Sequence, residues 1–171
     1  MKKHGTAYVV SAFGLIAAFI VYQVWFSDTR KVLRRLREIE IALSVPAQEP
    51  EYGRLARIAT LRHSLAEDLR VRAGATAPEV VSRDAVLGVI GAWRPPSGGL
   101  EVHFLDVQIK MNDDKTSAEV VMTVEVDRPD TSGSHAGGTT QETSAAAATL
   151  VKRNGEWVVT KAESRENPVK P

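Results

Sequence analysis

The sequence predicts an α+β domain in which three helices pack on a bent, mostly antiparallel sheet, carried behind an N-terminal transmembrane helix. Three observations predict the sheet. The first is the turn Arg153-Asn154-Gly155-Glu156 between two extended runs. Asn-Gly accepts positive φ at both central positions, as a type I′ hairpin requires. That turn sets Lys152 opposite Trp157, Val151 opposite Val158 and Leu150 opposite Val159. The second is the alternation from Thr116 to Asp127, with Ala118, Val120, Met122, Val124 and Val126 on one face and Glu119, Val121, Thr123 and Glu125 on the other. This is the period of a strand with one buried face. The third is a phase slip between Leu100 and Met111. Leu100, Val102 and Phe104 are in step, and so are Val107, Ile109 and Met111, but the two sets are one residue apart. A one-residue slip flips the face, so an extra residue near Leu105-Asp106 is needed to keep both sets on one side. A β-bulge there would also bend the strand.

The transmembrane helix is expected over Ala7–Phe26, behind a short basic tail of residues 1–6. These twenty residues carry no charge, and at about 1.5 Å each they span roughly the 30 Å of a bilayer core. Tyr8 at one end and Tyr22, Trp25 and Phe26 at the other suit the two membrane interfaces. A cleaved signal peptide would have a shorter apolar core followed by a small-x-small site, whereas Tyr22-Gln23-Val24-Trp25-Phe26 follows here. A single-pass bacterial inner-membrane protein is therefore expected. Orientation is contested. Arg30, Lys31, Arg34, Arg35 and Arg37 favour a cytoplasmic domain by the positive-inside rule. They also serve as the polar face of a helix, and the Lys2-Lys3 start favours a periplasmic one.

Residues 28–165 form the domain, and 166–171 a polar tail. Ser27-Asp28-Thr29 opens its first helix, whose stripe is Val32, Leu36, Ile39 and Leu43 and whose back is basic. Pro46 and Pro50 end it. A second helix over about 51–66 has the stripe Leu55, Ile58, Leu61 and Leu65, and Leu69 and Val71 then alternate as a short strand. A third helix from Ser82 presents Ala85, Val86, Val89, Ile90 and Trp93 before Pro95-Pro96-Ser97-Gly98-Gly99 turns the chain into the sheet. Arg128 to Thr140, rich in Gly, Ser and Thr, is expected to be a loop.

Composition narrows the function. The chain has 22 Lys and Arg against 21 Asp and Glu, and no basic stripe interleaved with aromatics, so nucleic acid is not an expected partner. Without cysteine, disulfides, thiolate zinc sites and cysteine nucleophiles are excluded. His4, His63, His103 and His135 are scattered without ligand spacing, so neither a metal nor a cofactor is expected.

The order of elements resembles the nuclear transport factor 2-like superfamily, which includes SnoaL-like cyclases, ketosteroid isomerase and limonene epoxide hydrolase. Four stretches carry the resemblance: Leu65-Ala66-Glu67-Asp68-Leu69-Arg70-Val71, Ser82-Arg83-Asp84-Ala85-Val86, the strand from Leu100 to Met111, and Asn154-Gly155-Glu156-Trp157-Val158-Val159. It implies a cone-shaped fold with a pocket between the helices and the concave face of the sheet, lined by Trp93, Phe104, Met122, Thr123 and Glu125. The fold hosts many unrelated functions.

An enzyme of the isomerase, cyclase or hydrolase kind needs a carboxylate base and a donor in that pocket. The candidates are Asp106 at the bulge as base, helped by His103 or Tyr52. Against this, His103 is equally an edge residue and Asp106 equally a partner for free backbone groups of the bulge. Ala145 to Ala148 either leave space for a ligand or let a helix pack close. Three functions follow. The leading one is a membrane-anchored, non-catalytic interaction or ligand-binding module, meeting a protein partner or a second copy through the sheet. The alternatives are the small enzyme and a lipid-surface module using the basic helix 28–44.

Overall fold

The computed structural model describes residues 28–74, 76–93, 99–129 and 138–165. The expected membrane span with Tyr8, Tyr22, Trp25 and Phe26, the basic tail and the polar tail lie outside these residues. Among the described residues, no helix is long and apolar enough to cross a membrane.

Helix α1 is described over residues 28–43. It is followed by α2 (Glu51–Ser64), β1 (Leu65–Ala73), β2 (Val80–Val81), α3 (Arg83–Ala92), β3 (Glu101–Met111), β4 (Ser117–Pro129), β5 (Thr139–Arg153) and β6 (Glu156–Arg165). The strands form one sheet in the order β2-β1-β6-β5-β4-β3. β1 runs parallel to β6, and every other pair is antiparallel.

Local chemistry explains the turns. Asn154 and Gly155 have φ of 52° and 85°, and the hairpin pairs Lys152 with Trp157, Val151 with Val158 and Leu150 with Val159, as the Asn-Gly turn predicts. Ser82 caps α3, its hydroxyl accepting from the Ala85 N–H. Gly99, at φ 88°, lies so close to the α1–α2 link that a Cβ would stand 2.6 Å from the Val45 carbonyl oxygen. Only glycine fits there, and beside it Val45 and Leu100 exchange two backbone hydrogen bonds of 2.8 Å.

The bulge in β3 is present. Leu105 pairs with Thr123 and Gln108 with Val121, so Asp106 and Val107 together oppose Met122. Asp106 takes the left-handed conformation at φ 52°. The phase shift restores Val107, Ile109 and Met111 to the core-facing side with Val102 and Phe104. A second irregularity in β6 leaves Thr160 unpaired between Val159 and Lys161, its hydroxyl donating to the Thr149 carbonyl.

The core lies between helices and sheet, where Val32, Leu36, Leu61, Leu69, Val120, Leu150 and Trp157 are buried. The α1 stripe follows the predicted spacing, with Ala42 buried and Leu43 half-buried. The other two helices are rotated from expectation. In α2, Leu55 is exposed, while Arg57, Leu61 and Ser64 are buried. Arg57 holds that place because Glu49 takes it bidentately, at 2.8 and 3.2 Å, and the Ala42 carbonyl accepts a third bond. In α3, Ala85 and Val89 are exposed, as is Trp93 just past its end, and the inner face is Val86, Leu87 and Ile90. α2 ends at Ser64, two residues earlier than expected, because Leu65 and Ala66 already belong to β1. β4 and β5 reach into the Gly/Ser/Thr-rich stretch, pairing Arg128 with Thr140 and Pro129 with Thr139.

Candidate functional site: an apolar cavity in the cone

The helices do not fill the concave face. A cavity of about 270 Å³ lies between them and the sheet. Leu36, Ile39 and Leu43 of α1, Leu61 of α2, and Val86 and Ile90 of α3 form its helical wall. Leu69 and Val71 of β1, Phe104 of β3, Met122 and Val124 of β4, and Val159 and Ala162 of β6 form most of the other. Ala146 and Ala148 of β5 complete it. Larger side chains at these alanines would occupy the space, so the small residues of β5 make the room. The polar residues on the lining are Arg72, Glu163 and Ser164, at the ends of β1 and β6.

Of the five residues expected to line the pocket, Phe104 and Met122 do so. Trp93 does not; it is 41% exposed and lines a separate hollow with Val45, Pro46, Glu49 and Arg54. It leaves because α3 ends at Ala92, one residue before it, and because the helix turns Val86 and Ile90 inward instead. Thr123 and Glu125 lie on the opposite face of β4 from Met122 and Val124, as strand alternation dictates.

The expected catalytic candidates lie apart. Tyr52 is 77% exposed in the first turn of α2. Asp106 is exposed on the bulge. His103 points to the outer side of edge strand β3, with Glu101 at 3.6 Å, Asp127 at 3.9 Å and Glu40 at 4.0 Å. Its carboxylate neighbours are therefore these three and not Asp106. Glu40 reaches the edge for a second reason, accepting the Phe104 N–H at 3.3 Å. His63, outside the cavity, meets Glu156 at 2.7 Å. Among the described residues, no group of three or more His, Cys, Asp or Glu could hold a metal ion.

A larger and more polar groove, about 760 Å³, runs between α1, the C-terminal half of α2 and the β5–β6 hairpin. Its charges largely face one another: Arg35 meets Glu38 at 2.8 Å and Glu156 at 3.5 Å. Trp157 closes its floor, a buried anchor that pattern reading assigned only to a strand; its indole N–H has no hydrogen-bond partner among the described residues. Lys152 stands 5.9 Å from the ring centroid and 3.1 Å from Asp28 of α1. Arg153, hydrogen-bonded to Asp68, holds that carboxyl below its ordinary value, and the Thr116 hydroxyl and N–H do the same for Asp114. Neither touches the cavity.

No protein-family model matches the chain, and no curated protein matches it. Solved structures do. An NTF2-like protein with a cystatin-like fold from Novosphingobium aromaticivorans aligns over 89% of this chain and 90% of its own, with a TM-score of 0.70 at 11% identity. An NTF-2-like protein from Shewanella oneidensis covers 81% of this chain and 98% of its own, at 0.59 and 17%. The association domain of C. elegans CaMKII covers 83% and 98%, at 0.62 and 9%. At these identities the likeness establishes the fold: helices on a mixed six-stranded sheet, the NTF2-like cone.

Proposed function

We propose that this NTF2-like domain is a non-catalytic binding module, held at a bacterial inner membrane by residues 7–26, whose cavity takes a small apolar ligand. The observation that carries the reading is the cavity wall. It is mostly hydrocarbon from three helices and five strands, with Arg72, Glu163 and Ser164 only at the ends of β1 and β6, while Asp106, His103 and Tyr52 stand outside it. A cavity of about 150 Å³ lined by Leu, Ile and Phe stays dry and admits benzene, so 270 Å³ suits a ligand larger than a single ring. Transfer of such a ligand from water gains roughly 25 cal/mol for each Å² of apolar surface covered. An acid–base enzyme would need a titratable pair facing bound substrate. The anchor adds location, because a tethered domain meets membrane ligands and partners at raised effective concentration. The periplasmic side is the orientation we favour, from the Lys2-Lys3 start.

Photolabelling tests this reading. The full chain in native membranes is irradiated with an apolar aryl diazirine, and labelled peptides are mapped by mass spectrometry. Expected labels fall on Phe104 and Met122 as well as within 7–26, and Ala146→Leu removes those in the domain. Labels confined to the anchor would overturn the ligand site. A mature N-terminus beyond residue 20 would overturn the anchor.

A further inference from the structure

The outward face of α1 is not finished by anything in the described structure. Arg30, Arg34 and Arg37 recur at helical spacing on the side opposite Val32, Leu36 and Ile39, and none has a carboxylate partner among the described residues. The helix's own acids are committed elsewhere. Asp28 takes Lys152, Glu38 takes Arg35, and Glu40 takes the Phe104 N–H. Between the arginines stand two large aliphatic side chains in solvent, Leu33 at 43% and Ile41 at 67% exposure. A helix with one face buried in its domain and a back of unpaired cations and exposed aliphatics has the make-up of an interfacial helix.

We infer that α1 lies flat on the bilayer, its arginines on anionic headgroups and Leu33 and Ile41 in the upper acyl region. The occupant is a membrane because of where the chain comes from. The inference rests on the proposed anchor, which ends at Phe26, two residues before the described part of α1. At about 3.8 Å per residue, residue 28 then lies within roughly 8 Å of the bilayer core. A helix in the interface sinks its apolar side chains about 5–10 Å into the headgroup boundary, a depth that Leu33 and Ile41 reach from a flat helix. Each arginine beside an anionic surface raises the docked-to-undocked ratio about fivefold. In this pose the helical layer faces the membrane, and the outer sheet face with Val121 points into the aqueous phase.

Ile41 discriminates this from a helix standing off along the membrane normal. It lies thirteen residues beyond residue 28, which at 1.5 Å each puts it roughly 20 Å up a standing helix but level with Leu33 on a flat one. The chain contains no cysteine, so single labels are easily placed. Full-length Ile41→Cys, Leu33→Cys and Val121→Cys carry a nitroxide in nanodiscs of phosphatidylcholine with or without phosphatidylglycerol and with a headgroup-attached paramagnetic lipid. The expected result is equal, strong broadening at 33 and 41 in the anionic discs and little at 121. Arg34→Ala lowers the docked-to-undocked ratio at 41 about fivefold, and added salt does the same without a mutation. A label at 41 as unbroadened as that at 121 while the chain stays disc-bound overturns the docking alone. Broadening indifferent to phosphatidylglycerol, salt and Arg34 also overturns it. A chain not retained by the discs overturns the anchor and the docking together.

Discussion

The two faces of the β3–β6 sheet come from the same strands yet carry opposite chemistry. The inner face is Val102, Phe104, Val107 and Ile109 of β3, Ala118, Val120 and Met122 of β4, and Ala146, Ala148 and Leu150 of β5. The outer face carries His103, Glu119, Thr123, Glu125 and Lys110, with Val121 and Leu105 partly exposed among them. On β3 and β4, the residues that could do acid–base work, His103, Glu119 and Glu125, are on the side without a cavity, whereas Glu163 of β6 lies on the cavity's lining. Side-chain alternation decides this, because a strand cannot send neighbours to the same face without a bulge. The difference teaches that the bulge at Asp106 acts here as a phase corrector for the core.

Removing that corrector should have the largest effect. Deleting Asp106 would turn Val107, Ile109 and Met111 outward and Gln108 and Lys110 into the core. We expect no cooperative thermal transition by circular dichroism. A folded deletion variant with wild-type melting would show that the phase slip is dispensable. The next contrast is between neighbours. Val120 is 1% exposed and Val121 49%. Val120→Asp should cost about 4 kcal/mol or more by burying an unpaired carboxylate, and Val121→Asp no more than about 0.5 kcal/mol, measured by urea denaturation. Similar costs at both sites would mean the outer face is buried in an assembly.

A smaller effect sharpens the view of the cavity. Ala146→Leu adds carbon where there is room, so stability should change by less than about 1.5 kcal/mol while apolar photolabelling of Met122 falls away. A loss of several kcal/mol would mean that the space is not free. The smallest effect is electrostatic. Arg153 depresses the Asp68 pKa below 3.8, so the pair's contribution is present above that pH and fades as pH falls through the folded-state value. The stability curves of wild type and Asp68→Asn should therefore converge below pH 3.8. Both groups are exposed, so the gap above it should be slight. Curves that diverge toward acid would reverse the assignment.

Much of the fold was legible because local rules govern it. Asn154-Gly155 determined the hairpin register, the alternation of β4 identified its buried face, and the slip between Phe104 and Val107 located the bulge. The spacing of Val32, Leu36 and Ile39 gave the buried side of α1. Helix faces that depend on distant partners were not legible. Leu55 and Val89 match an apolar period, yet Arg57 is buried in place of a leucine because Glu49 and the Ala42 carbonyl satisfy it. The parallel pairing of β1 with β6 joins residues nearly a hundred apart, such as Leu65 and Val159, and no local signal encodes it. The cavity was half legible. Phe104 and Met122 are core-facing by alternation, and Ala145 to Ala148 raised the question of space. Which of a ligand or a helix used that space depends on the tilt of α1 and α3 over the sheet. Trp93 was misplaced because an aromatic at helical spacing looks inward until the helix ends before it.

The free edge of β3 is capped from far away in sequence. The Ser44 hydroxyl accepts the Val102 N–H at 3.0 Å across 58 residues, and Glu40 accepts that of Phe104. An uncapped edge strand is a template for pairing with another chain. Biosynthesis orders these events favourably. The ribosome makes α1 first, and at about 5–20 residues per second Val102 follows Ser44 by roughly 3–12 s. The acceptors for the edge therefore exist before the edge does. A circular permutant that moved α1 to the C-terminus would retain every contact of the finished domain but expose that strand throughout its synthesis.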